Sequence, residues 1–487
     1  MNHRQGEVVG FPFRGSVLVL AGAGSGKTTV LTRRMGYLLE RFPQDGILAL
    51  TFTKDAAHEM SDRLRQLLGP DAATVTFPTI GTFHSFAFAL IRSGFRGEPN
   101  WSRLGFARNP TLLEAPDRSA WLRSAKKEAA LKSPLETLEQ WIANPFADAP
   151  VSTQAGGEAA QALRRRFRDH LLETGTLSFD DMVPLAARLL KENPHLLSDA
   201  RNRFPRILVD EFQDTSRDQL DLVKLLAGDE PSLLLVGDDD QAIYGFRGAD
   251  PDNIGAALEH FPDMRILKLE VNYRSSAPIV EYSNAVFSDK PARLRKRLQA
   301  GRSLGSVPVR TVAHRTGAEQ GAWMVGEMER LRKEEGLAWK DMAILFRLNV
   351  LEPYYRSMLM RLAGPEAAAE TILSTVHAAK GLEYPAVFFA GLEDGILPYR
   401  RGAQELSPER LAEERRIFYV GVTRAQRFLY LCSCRRRMLR GKAVEAKSSP
   451  FLRQPGAGTG SAASAVAVFA SKWIGTFRAW GRKKGVS

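Results

Sequence analysis

The run Ala21-Gly22-Ala23-Gly24-Ser25-Gly26-Lys27-Thr28 follows the apolar stretch Val17–Leu20 and opens a helical pattern. Small residues at a strand-to-helix turn let backbone N–H groups approach phosphates, and the helix N-terminus adds partial positive charge there. In such a loop Lys27 reaches the β and γ phosphates of a nucleoside triphosphate, and the Thr28 hydroxyl ligates Mg²⁺. Ala21 stands where the strict pattern has its first glycine, a change the loop tolerates because the close approach to phosphate comes later.

A second apolar stretch ends in Val209-Asp210-Glu211-Phe212-Gln213-Asp214. Asp210 suits a Mg²⁺ held through water, and Glu211 suits a base that orients and deprotonates the attacking water. Alone, an acidic pair after a strand equally describes a helix N-cap. Together with the phosphate loop it indicates ATP hydrolysis with Mg²⁺ as cofactor.

Parallel strands must position these groups. Val17–Leu20, Ile47–Thr51, Ile207–Asp210, Leu233–Val236, Ile344–Phe346, Ile372–Thr375 and Val387–Ala390 are strand-like runs, each followed by a turn and an amphipathic stretch. That alternation predicts α/β sheets with parallel strands. From Ile91 to Leu177 the strand signal fades, and Asp117–Leu131 and Glu158–Glu173 read as helices of an inserted α-helical region. Gln454–Ser464, rich in Gly, Ala and Ser, reads as a flexible linker. Beyond it, Ala465–Trp480 reads as a short basic amphipathic helix that could contact a protein partner, DNA or a membrane surface, or simply fray.

The chain has 487 residues, too many for one core, and its net charge of +13 favours a polyanionic partner. Basic clusters occur at Arg164–Arg168, Arg293–Arg302, Arg435–Lys442 and Arg478–Lys484, although any one of them alone describes a solvated face. No apolar run of about 18 residues could span a bilayer, and no signal peptide opens the chain. Cys432 and Cys434 lack the further ligands of a zinc or iron–sulfur site and read as buried small side chains near a strand end, in keeping with a reducing cytoplasm.

An ordered motif set extends across the chain. Gln5 precedes the phosphate loop; Thr51-Phe52-Thr53 with Ala56-Ala57, and Thr79-Ile80-Gly81-Thr82-Phe83-His84-Ser85, follow it. After the acidic block come Gly237-Asp238-Asp239-Asp240-Gln241, Asn272-Tyr273-Arg274-Ser275, Thr375-Val376-His377-Ala378-Ala379-Lys380-Gly381-Leu382-Glu383 and Tyr419-Val420-Gly421-Val422-Thr423-Arg424-Ala425. In content and order this set resembles the UvrD/Rep/PcrA helicases of superfamily 1A.

The resemblance implies two RecA-like P-loop NTPase domains, the first carrying the helical insertion. The expected boundaries are residues 1–90 and 178–275 for the first domain, 91–177 for the insertion, 276–455 for the second domain and 456–487 for the linker and tail. It further implies that Gln5 reads the adenine edge, that Tyr273 stacks on the base and that Gln241 senses the γ-phosphate. Arg274 and Arg424 resemble arginine fingers, and Gly381 and Glu383 resemble contacts to ribose and triphosphate. Thr29 replaces an arginine common in relatives near the nucleotide, which would weaken nucleotide affinity.

The implied partner is single-stranded DNA, including single-strand/duplex junctions, which fits a nucleoid-associated cytoplasmic protein. Aromatic side chains stack on any base, so a sequence-tolerant motor needs them beside a basic groove. Phe52, Phe179, Tyr244, Phe246 and Phe451 stand at family DNA-contact positions, with Thr82, His84, Arg247 and His377 near them. Phe246 replaces a tryptophan and offers a smaller face. Tyr244, Phe246 and Arg247 follow Gln241 directly, an adjacency that couples ATP state to grip on DNA.

The function implied is an ATP-dependent 3′-to-5′ DNA helicase or translocase acting in repair, replication or recombination. The alternative is a single-strand translocase or protein-displacing regulator that unwinds little duplex. Relatives insert a second accessory (2B) domain after the segment resembling Ala343–Asn349. Here roughly two dozen residues separate Arg347 from Thr371, far fewer than a domain needs. An RNA helicase of another superfamily is disfavoured by the Gln241 and Thr375–Glu383 blocks.

Overall fold

The computed structural model describes residues 1–93, 99–146, 157–229, 231–250, 252–287, 296–301, 304–305, 307–400, 402, 405–439 and 441–452. The linker, the amphipathic tail, the basic cluster Arg478–Lys484 and parts of the clusters Arg293–Arg302 and Arg435–Lys442 lie outside these residues, as does the side chain of Arg247. The chain divides into two compact units: Met1–Ala21 with Gly26–Leu269, and Gly22–Ser25 with the chain from Glu270 onward.

In the first unit all neighbouring strands of a six-stranded sheet run parallel, in the order Thr79–Thr82, Ile47–Thr51, Arg206–Val209, Ser232–Gly237, Gly15–Ala21, Arg265–Leu269. The central strands are near-continuous apolar runs because helices cover both faces of such a sheet. Leu18, Leu20, Leu235 and Val236 are fully buried. The sheet places the phosphate-binding strand beside Ser232–Gly237, whose neighbour carries the acidic pair at its end. This brings lysine and carboxylates, distant in sequence, to the carboxyl ends of strands separated by one neighbour, where α/β folds bind ligands.

Helices fill the expected inserted region, including Ala115–Glu128, Leu135–Trp141 and Gly157–Thr174. The last presents Ala160, Leu163, Phe167 and Leu171 as a buried stripe at helical spacing. Parts of the basic runs serve structure: Arg166 pairs with Glu128 at 2.8 Å, and Arg164 donates to the Asn144 carbonyl.

The second unit holds another sheet, ordered Arg310–Thr316, Ala425–Leu439, Tyr384–Ala390, Met342–Phe346, Ile372–Thr375, with these pairs parallel. Lys442–Glu445 returns antiparallel along the end of Ala425–Leu439. Cys432 and Cys434 are buried as expected, but they lie within the long strand Ala425–Leu439 rather than near its end. The connection from Met342–Phe346 to its parallel neighbour Ile372–Thr375 consists of a short turn and the helices Glu352–Leu362 and Pro365–Glu370. Tyr355, Leu359 and Ala367 bury this crossover in the second unit's own core.

Arg437, from the third basic cluster, is a structural group. Its guanidinium meets both carboxylate oxygens of Glu393, at 3.0 and 2.9 Å, and also donates to the Tyr355 hydroxyl and the Gln320 carbonyl. With both side chains almost fully buried, Glu393→Ala strands a desolvated cation. Breaking such a pair costs about 3–5 kcal/mol, so urea unfolding of this variant should show a correspondingly lower midpoint, and an unchanged midpoint would refute the role.

Candidate nucleotide and DNA site

The phosphate loop is built on glycine geometry. Gly24 and Gly26 have φ of 66° and 82°, in the left-handed region that favours residues without Cβ. Gly26 is the N-cap of the helix Lys27–Arg41 and caps it with no side chain. Ala21 is the last residue of its strand and fully buried, which explains why alanine fits there.

Lys27 lies 3.2 Å from a Glu211 carboxylate oxygen. Burial disfavours the ammonium, but Glu211, Asp238 and Asp210 more than offset that, so its pKa stands above the usual lysine value. The Asp210 pKa is raised too, which for a carboxyl favours the neutral form: burial and the Glu211 charge push it up, with Lys27 only partly compensating. Glu211 itself occupies a left-handed backbone conformation, φ 49° and ψ 42°, which is uncommon for a non-glycine residue and typical of functional turns. Thr28 is half-buried and Thr29 exposed on the first turn of the same helix.

Gln5 is buried in the short helix His3–Val9. Its carbonyl accepts from the Asn2 backbone N–H at 3.0 Å, and its amide nitrogen would sit 3.1 Å from a Cβ built on Gly26. Gln5 thus lies beside the loop within the first unit. Gln241 is buried and donates to Asp238 at 2.6 Å.

In the second unit, the Asn272 amide donates to the Ala23 carbonyl at 2.8 Å, while its own carbonyl accepts from the Arg274 and Ser275 N–H groups. The Tyr273 N–H donates to the Gly24 carbonyl. Arg274 donates to Glu383 and to the Thr423 carbonyl. Burial would raise the Glu383 pKa, but Arg274 more than offsets it and the carboxyl titrates below its ordinary range. Gln426 bonds the other Glu383 oxygen at 2.9 Å. Arg424 is almost fully buried and donates to the Val420 and Leu382 carbonyls. Gly381 is exposed with φ 91°, and His377 is half-buried in the turn after Ile372–Thr375.

The aromatic residues separate into groups. Phe52 stacks on Tyr244 with centroids 4.8 Å apart and planes within 18°, and Tyr244 in turn meets Phe246, itself 64% exposed. His84 stacks on Phe179 at 3.8 Å, and Phe179 is 54% exposed. Burial lowers the His84 pKa, partly countered by Asp180. Thr82 caps the helix Phe83–Arg92 by accepting from the Ser85 N–H. Phe451, in the second unit, is half-buried and packs on Phe418. Gln213, Asp238 and Asn272 received no role from sequence reasoning, although they lie inside the quoted motif blocks; their hydrogen bonds to the candidate groups identify them as supports.

The chain matches a family model described as the UvrD/REP helicase N-terminal domain over residues 1–262, and one described as the UvrD-like helicase C-terminal domain over residues 361–436. It is 35% identical over 437 residues to a probable DNA helicase of Mycoplasma pneumoniae, covering 85% of this chain and 80% of that protein. It is 32% identical over 361 residues to the ATP-dependent DNA helicase PcrA of Staphylococcus aureus, covering 72% of this chain but 48% of that protein. Against the PcrA of Staphylococcus epidermidis the identity is 26% over 647 aligned positions, covering 93% of this chain and 86% of that protein. The chain therefore spans about half the length of the S. aureus relative it matches.

Proposed function

The chain belongs to the UvrD-like helicase family, and from that premise we propose that it is an ATP-dependent motor that moves 3′ to 5′ along single-stranded DNA, with action on DNA repair, replication or recombination intermediates. The observation that carries this reading is the Lys27–Glu211 pair at 3.2 Å in the same unit as the exposed stacking ring Phe246. One end of that arrangement suits a triphosphate, the other an unpaired base.

The donor set fits Mg²⁺–ATP: the Thr28 hydroxyl and Asp210 carboxylate are hard oxygen ligands, and Lys27 supplies a point charge for phosphate. When bound, the cation would neutralise charge on the phosphates. Glu211 takes a proton from the attacking water, Gln5 and Tyr273 orient the adenine, and Gly381 and Glu383 bind ribose and triphosphate. Arg274 and Arg424 neutralise charge developing on the transferred phosphoryl group. Phe52, Tyr244, Phe246 and Arg247 hold the strand, with Thr82, His84, Phe179, His377 and Phe451 as further contacts.

The same reading divides the chain into a RecA-like domain at residues 1–90 and 178–275, a helical insertion at 91–177 and a second RecA-like domain at 276–455 without a 2B insertion. The short, self-packed crossover between Phe346 and Ile372 supports the missing domain. So does the length of the S. epidermidis alignment, which exceeds the 487 residues here. A protein-displacing translocase with weak strand separation is therefore favoured over a processive helicase.

Streptavidin displacement tests both points. With ATP, the protein should remove streptavidin from a 5′-biotinylated single strand much faster than from a 3′-biotinylated one, while long duplexes remain paired. The opposite end preference contradicts the polarity. Efficient long-range unwinding by the isolated protein contradicts the missing-domain reading.

A further inference from the structure

The Gln213 side chain is 3% exposed, and its carboxamide is used at both ends. Its carbonyl oxygen accepts from the Asp238 N–H at 2.8 Å. Its amide nitrogen donates to Glu211 Oε2 at 2.5 Å and to Asp214 at 3.2 Å. Asp238 begins the segment that ends in Gln241, whose amide it binds at 2.6 Å, and the Tyr244 and Phe246 rings follow three and five residues later. One buried side chain thus joins the carboxylate at one strand end to the segment leading from the next strand to the half-buried Tyr244 and exposed Phe246 rings. Gly237 makes the bridge possible, since a Cβ there would lie 2.7 Å from the Gln213 carbonyl oxygen.

We propose that Gln213 is a positioning residue through which the Asp238–Gln241 segment sets the Glu211 carboxylate, so that DNA seated on the Tyr244–Phe246 rings aligns the base for hydrolysis. The inference rests on the motor reading above. Lys27 bonds the same Glu211 oxygen that Gln213 does. When a triphosphate draws the Lys27 ammonium towards phosphate, Gln213 remains as a donor holding that oxygen in place. An unsupported carboxylate would sample orientations unable to accept the proton from water, and misplacement of a reacting group is costly.

The test compares the wild-type chain with Gln213→Met, nearly equal in length but with no strong donor or acceptor, and with Gly237→Ala, whose added methyl would meet the Gln213 carbonyl oxygen at 2.7 Å and the Gln213 and Phe212 backbone nitrogens at 3.2 and 3.4 Å. ATP turnover is measured with and without saturating single-stranded DNA, across ATP concentrations. In Gln213→Met the DNA-stimulated kcat should fall about 10–100-fold, the range typical for groups that orient a catalytic ligand, and KM for ATP should change by less than about twofold, since a group acting only in the transition state alters kcat alone. Gly237→Ala should show the same split with a smaller loss. A residue that only packs would instead leave kcat intact or lower the melting temperature with kcat and KM changing together, and either result overturns the proposal. Should Gln213→Met fail to fold, a wild-type kcat in Gly237→Ala overturns it and a selective loss of kcat supports it. A wild type whose turnover ignores DNA refutes the motor reading itself, which separates that failure from a wild type stimulated by DNA whose variants are equally stimulated.

Discussion

Lys27→Ala should abolish single-strand-stimulated ATP hydrolysis, with turnover lower by about a thousandfold or more, since one preorganised charge on a developing anion is worth at least about 10²–10³ in rate. The side chain sits at the first position of the helix that follows the loop, facing Glu211, and its charge is held by Asp210 and Asp238 as well. Its removal leaves a concentration of carboxylates where a triphosphate must bind, so ATP affinity falls with kcat. The fold should survive, because the strand Gly15–Ala21 and the buried face of the helix, Val30, Leu31 and Met35, do not depend on Lys27. A cooperative melting transition checks that, and retained turnover in a folded variant contradicts the assignment.

Arg274→Ala should lower kcat by about 10³–10⁵ with a smaller change in KM, the range for arginine fingers in phosphoryl transfer. Here Arg274 is paired with Glu383 and the Thr423 carbonyl. Exchanging a carboxylate partner for a phosphoryl group keeps the guanidinium charge-compensated. Arg274→Lys should recover little, because a compact ammonium cannot reproduce the planar fork. A kcat within tenfold of wild type in single-turnover quench measurements would remove Arg274 from the chemistry. Arg424 is a less clean probe: its guanidinium holds the Val420 and Leu382 carbonyls, so its loss also strands buried acceptors.

Much of the fold is legible in the residues because parallel strands buried on both faces read as short apolar runs. Ile47–Thr51, buried throughout, falls where the pattern puts it, as does the half-buried edge strand Ile372–Thr375, and the helices Ala115–Glu128 and Gly157–Thr174 nearly so. Arg265–Leu269 and Arg310–Thr316 are hidden for the opposite reason. They are edge strands whose charged and exposed residues alternate with apolar ones, which breaks the run. The strand Ala425–Leu439 is obscured by its end, Arg435–Arg437, where a basic cluster looks like a solvated surface although Arg437 is buried on Glu393.

Of the site, residue types and loop chemistry could be read directly, since Lys27 follows a glycine-rich loop and Asp210 and Glu211 a strand end, each in a recognisable pattern. Pairings across long separations could not: Arg274 with Glu383 spans 109 positions, and Gln213 reaches Asp238 across 25. Such contacts depend on strand order, which periodicity does not specify. Phe451 illustrates the converse, an aromatic at a family position whose ring is half-buried on Phe418.

The most direct measurement is the steady-state ATPase rate of the whole chain, alone and with single-stranded DNA or RNA of the same sequence. A motor whose stacking rings report to Glu211 hydrolyses ATP slowly alone and much faster on DNA, with RNA a poorer activator. Turnover that is indifferent to DNA would contradict it.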